Sequence, residues 1–112
     1  MREIQAEECA ILTLVLKGKW YDMIACCDKG EEYRDATKYW DARIGNWNNK
    51  RGPHVVEFRR GYHRNAPRMW FVVGGVYFRI GEHNISWGEP IHPHYAISLR
   101  ERVKLVRKGG AR

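Results

Sequence analysis

The chain has no apolar run near the roughly 20 residues that a membrane-spanning helix needs. Its longest such stretch, Met69 to Phe78, is interrupted by two glycines. The opening residues MREIQAEECA carry acidic groups and no apolar segment, so no signal peptide is expected. Cysteine is scarce: there are three, an odd number with Cys26 and Cys27 adjacent, which makes no disulfide framework. A reducing, cytoplasmic setting without a membrane partner fits best. Metal ligands are equally sparse. His92-Pro-His94 has ligand spacing, but Pro93 breaks a strand ladder, and His54, His63 and His83 are scattered. No metal site and no cofactor is expected. Acidic residues also run short after residue 32: residues 33–79 hold 10 Lys/Arg against 3 Asp/Glu, whereas residues 1–32 hold 4 against 7.

What is present describes one small globular domain. A length of 112 residues supports a single core, and 44% apolar with 29% charged residues is ordinary for such a protein. The net charge of +7, concentrated in the middle and the tail, is compatible with a polyanionic partner, although basic surfaces also serve solubility alone. Residues 1–10 are read as a partly ordered segment, frayed or helical, residues 11–106 as the domain, and residues 107–112 as a disordered basic tail.

Hydrophobic periodicity places the elements. Ile11 to Leu16 reads as a short buried strand. Trp20, Met23, Ile24 and Cys27 fall at i, i+3, i+4 and i+7 and share one helical face, with Gly30 supplying the left-handed turn that ends the helix. Cys26 and Cys27 are read as core thiols. A strand carrying Glu32 and Arg34 follows, then a helical turn around Trp40, Arg43 and Ile44, and a loop over Asn46 to Pro53. Pro53 to Arg60 and Trp70 to Arg79 alternate as strands, with Gly74-Gly75 marking a bulge. Gly81 to His94 is irregular, with Ile85 to Trp87 a candidate pairing segment. Tyr95 to Leu105 forms a long last strand. Five strands, one clear helix and glycine-marked corners predict an α+β, mainly β fold, a small partly closed barrel with one or two packed helices.

Two groups of residues carry candidate chemistry. Glu32 and Arg34, two apart on a strand, point to the same side, and Lys29 at the preceding corner can lean toward them. On a solvated surface these charges would pair for at most about 1 kcal/mol. In a cleft, the guanidinium fork could hold a phosphate or a base edge. The second group sets Tyr39, Trp40 and Trp47 among Lys38, Arg43, Lys50 and Arg51, followed by Arg59, Arg60, Tyr62, Arg64 and Arg68, which combines phosphate-pairing cations with stacking faces. Trp20 and Trp70 are expected in the core and Trp47 at the surface.

The pattern K-x-x-E-x-R over Lys29, Glu32 and Arg34, after an amphipathic helix and the apolar strand ILTLVL, resembles the ASCH domain family, whose motif is G-x-K-x-x-E-x-R. Cys27 stands where that motif has Gly. The likeness extends more weakly through VVEFRRGY and YAISLRERVKLV. It implies a PUA-like β-barrel and an RNA or nucleotide ligand in a cleft around the motif. Some members deacylate acetylated cytidine with a Lys, a Thr three residues later and a distant Glu. Lys29 matches the Lys, but Glu32 occupies the Thr position, Thr37 is out of register, and Glu82 and Glu89 are only candidates for the distant Glu. A ribonuclease-like reaction would use Lys29 and Glu32 as candidate catalytic groups with Arg34 stabilising charge. The resemblance thus favours a binding domain, with a small hydrolase as the alternative.

Overall fold

The computed structural model describes residues 1–108. The tail read as disordered falls largely on residues 109–112, which lie outside the described residues. The order of elements is β1 (Glu3–Gln5), a 3-10 turn (Ala6–Glu8), β2 (Ala10–Leu16), α1 (Gly18–Ala25), β3 (Glu31–Asp35), α2 (Lys38–Asn48), β4 (His54–Arg60), β5 (Arg68–Arg79), a second 3-10 turn (Ile85–Trp87) and β6 (His94–Val106). The fold is α+β and mainly strand, and its sheet curls into a half-barrel. No helix among the described residues is long and apolar enough to cross a membrane.

The sheet runs β1-β6-β5-β4-β2, with β3 added on β6. Its longest strand, β6, serves two partners along one edge. His94 to Ser98 pair antiparallel with β3, and Lys104 to Val106 pair in parallel with β1. On the other edge β5 follows β6 from Arg79↔His94 to Trp70↔Val103, with shifts of register between Val72 and Gly75 where the bulge was expected. β2 closes the far side, parallel to β4. β2 and β3 are therefore the free edges that the curl brings toward each other.

Alternation explains the strands. Ala10, Leu12, Leu14 and Leu16 are buried while Ile11, Thr13 and Val15 are partly exposed, so one face of β2 meets the core. That core joins Val56, Phe58, Met69, Phe71 and Ile97 from the sheet to Tyr21 and Ile24 of α1 and Ile44 and Trp47 of α2.

Several expectations are corrected. Residues 3–5 form a strand rather than a frayed or helical end, because Ile4 is buried beside the C-terminal part of β6. The turn at Trp40 to Ile44 is a complete helix from Lys38 to Asn48: the Thr37 side chain accepts from the Trp40 N–H, and Ile44 and Trp47 bury one face. Among the described residues there are thus six strands and two α-helices. Ile85 to Trp87 forms a 3-10 turn and joins no ladder. In α1 the buried residues are Tyr21 and Ile24, Trp20 and Met23 are half-buried, and both Cys26 and Cys27 are exposed. The thiols leave the core because the helix ends before them. Cys27 itself, not Gly30, takes the left-handed conformation, at φ 68°. The Cys27 N–H bonds the Ile24 carbonyl and the Asp28 N–H the Met23 carbonyl, the paired bonds of a Schellman exit.

A polar cleft between the free edges of the sheet

The Schellman exit throws the chain back so that Lys29 enters the protein. Only 3% of Lys29 is exposed, and Nζ donates to the Trp87 carbonyl. It lies 3.4 Å from Glu32 Oε1, and 4.6 Å and 4.9 Å from the ring centres of Tyr33 and Trp20. Burial lowers its pKa, and the Glu32 carboxylate opposes that shift. Glu32 is also buried, and its Oε2 accepts from Arg34 Nη1 at 2.8 Å. Two cations thus share one carboxylate, leaving a local surplus of positive charge.

Arg34 spans the gap between the free edges. Its Nη2 donates to the Val15 carbonyl of β2 at 3.1 Å, its carbon centre lies 5.1 Å from the Trp40 ring, and its buried Nε has no hydrogen-bond partner among the described residues. Above this triad opens a cavity of about 410 Å³ whose walls include Trp20, Tyr33 and Trp87, with Gly61 and Tyr62 at the rim. Gly88 is required there. Its φ is +77°, and a Cβ would come within 2.7 Å of the Trp20 ring.

A second buried network holds the Trp87 wall in place. Glu89 is buried, and its Oε1 accepts the backbone N–H groups of His83 and Asn84, while Oε2 faces His94 Nε2 at 2.7 Å. His94 Nδ1 donates to the His92 carbonyl, since a carbonyl only accepts. Burial pushes the Glu89 pKa up, but the His94 contact, the two N–H groups and Arg79 outweigh it and hold the carboxyl below its ordinary range. Glu31 extends the network by accepting from Tyr33, Asn84 and Arg79. Burial, and then the bond to Glu31, raises the Tyr33 pKa.

The structure brings Lys29, Glu32, Arg34, Trp40 and Tyr62 to this region, with Tyr39 beside Trp40. Other predicted site residues lie elsewhere. Trp47, expected at the surface, is 2% exposed in the core, where its Nε1 donates to the Ala10 carbonyl, so it offers no stacking face. Trp20 and Trp70, expected in the core, are only half-buried: Trp20 forms a cleft wall and Trp70 donates to Glu57. Arg60 forks onto Asp22, Arg59 donates to the His63 carbonyl, and Arg64 is exposed on the β4–β5 loop. Glu89 supports the cleft from behind rather than lining it, and Glu82 is exposed. Sequence reasoning missed Trp87 and Tyr33. Tyr33 sits inside the motif, where its aromatic character was the available signal; Trp87 comes from a segment with no periodicity. No family model matches the chain, and neither a curated protein nor a solved structure matches it. The geometry of the cleft therefore carries the functional reading.

Proposed function

We propose that this chain is an RNA- or nucleotide-binding domain of the PUA-like, ASCH type, and that its ligand enters the cleft around Lys29, Glu32 and Arg34. The observation that carries this reading is the convergence of a desolvated Lys, a fork-shaped guanidinium with an unpartnered Nε, and aromatic walls in one cavity of about 410 Å³. Cations for phosphate or base edges and ring faces for stacking are what nucleotide recognition needs. The net charge of +7 adds long-range attraction.

No observation favours the alternative, a hydrolase acting on a modified nucleoside. Glu32 replaces the hydroxyl such an enzyme would use, Thr37 is committed to the start of α2, and the Tyr33 hydroxyl to Glu31.

Fluorescence anisotropy with a labelled RNA at several salt concentrations tests the proposal. Micromolar or tighter binding is expected, weakening with salt. Lys29→Met and Arg34→Lys should each reduce affinity about tenfold, the second because an ammonium cannot reproduce the fork. Absence of binding at low salt would overturn the reading and turn attention to turnover of acetylated nucleosides.

A further inference from the structure

A second cavity, of about 560 Å³, adjoins the first and shares Val15, Tyr33, Arg34 and Tyr62 with it. Its own lining comes from Thr13 of β2, Asp35 at the end of β3, Thr37, and Tyr39, Trp40 and Arg43 of α2. The Arg43 guanidinium lies 5.2 Å from the Trp40 ring and 5.7 Å from the Tyr39 ring. Arg43 makes no ion pair among the described residues. The neighbouring carboxylates are turned to other partners: Asp41 accepts from Tyr95, and Asp35 meets His92 at 2.6 Å. Arg43 is thus a cation beside two aromatic rings, donating to the Tyr39 hydroxyl and the Thr13 carbonyl and making no ion pair among the described residues, in a groove continuous with the cleft.

We infer that this groove is a second nucleotide subsite, so that the ligand is a single-stranded oligonucleotide of at least two units. The inference rests on the proposed function. One nucleotide occupies the Lys29 cleft, and the linking phosphate lies near Arg34, on the wall common to both cavities. Arg43 takes the next phosphate, and the exposed ring of Tyr39 offers a stacking face to the second base. A duplex would keep its bases stacked inside and could use neither aromatic wall.

Calorimetric titration with the four ribonucleoside 5′-monophosphates and the matching 5′-phosphorylated dinucleotides separates the possibilities. Dinucleotides should bind about tenfold tighter than mononucleotides, the gain expected of one added stacking contact. Arg43→Ala should abolish this gain, leave mononucleotide affinity within about twofold, and flatten the salt dependence of dinucleotide binding by about 0.7 in log–log slope. Tyr39→Ala, at a position 60% exposed, should also abolish the gain while leaving the fold intact. Equal affinity for both lengths, or a length gain unchanged in both variants, overturns the second subsite while the first stands. Failure of every mononucleotide and dinucleotide to bind at low salt overturns both.

Discussion

Single side chains decide how the cleft is charged and how the chain enters it. Glu32 keeps two cations in register at 3.4 Å and 2.8 Å. Its burial makes the arrangement costly to disturb, because removing the carboxylate would leave two buried cations unpaired. Removing Lys29 leaves Glu32 its bond to Arg34 but takes the donor from the Trp87 carbonyl, so the affinity of Lys29→Met is to be read alongside its denaturant midpoint. Cys27 shows the same economy in the backbone. A non-glycine residue in the left-handed region costs about 1–2 kcal/mol, and glycine there returns about 0.4–1 kcal/mol of that through the freer unfolded chain. Cys27→Gly should therefore stabilise the protein by about 0.5–1 kcal/mol, read as a higher denaturant midpoint with an unchanged slope. Position 27 is also where the motif of the resembled family carries Gly.

At the scale of elements, the segment from His83 to Glu89 is held by buried polar bonds in place of apolar packing, with Ile85 left exposed. The sign of its pH dependence follows from Glu89. A carboxyl whose folded pKa lies below its unfolded value contributes stability that is present above the unfolded value and is lost as the pH falls through the folded one. Acidification below the ordinary carboxylate range should release the segment, and with it Trp87 and the carbonyl that receives Lys29. Protection of the His83 and Asn84 amides from hydrogen exchange, taken relative to the intrinsic rate at each pH, should fall there before that of the strands. Glu89→Gln should exchange rapidly at those amides already at neutral pH and lose the acid step. Protection factors at these amides that stay unchanged at low pH in the unaltered protein would contradict this.

For the whole molecule, the long strand β6 separates two tasks. Its first half carries β3 and the cleft, and its second half binds β1. Ile4 is buried there, Arg2 forks onto Glu101, and the Lys104 N–H donates to the Arg2 carbonyl. Deleting residues 1–5 should cost about 2–3 kcal/mol, chiefly from the burial of Ile4. For a domain of this size that is a fall of roughly 10–20 °C in Tm. Nucleotide affinity measured well below the new Tm should be unchanged, because the deleted strand touches neither cavity. A loss of affinity matching the loss of stability would show that the two halves of β6 are coupled.

The sequence by itself determined the mainly β character of the fold, most strand positions, the bulge near Gly74-Gly75 and the meeting of Lys29, Glu32 and Arg34. These depend on alternation and on short spacings along one chain, which local geometry fixes. It did not determine what lay across the cleft or which aromatic rings faced it. α2 was only partly legible because Gly45 and two Asn dilute its pattern, although Thr37 followed by Trp40, Ile44 and Trp47 was the signal. Trp47 and Tyr39 are similar as residue types, yet one is core and the other exposed, since α2 packs on β2 along a single face. The tertiary structure alone decided that Arg34 reaches the carbonyl of a strand 19 residues away, and that Glu89 and His94 brace the opposite wall. The first arises from the curl of the sheet, which brings together edges that no local spacing connects, and the second from the burial of a five-residue loop contact behind the cleft.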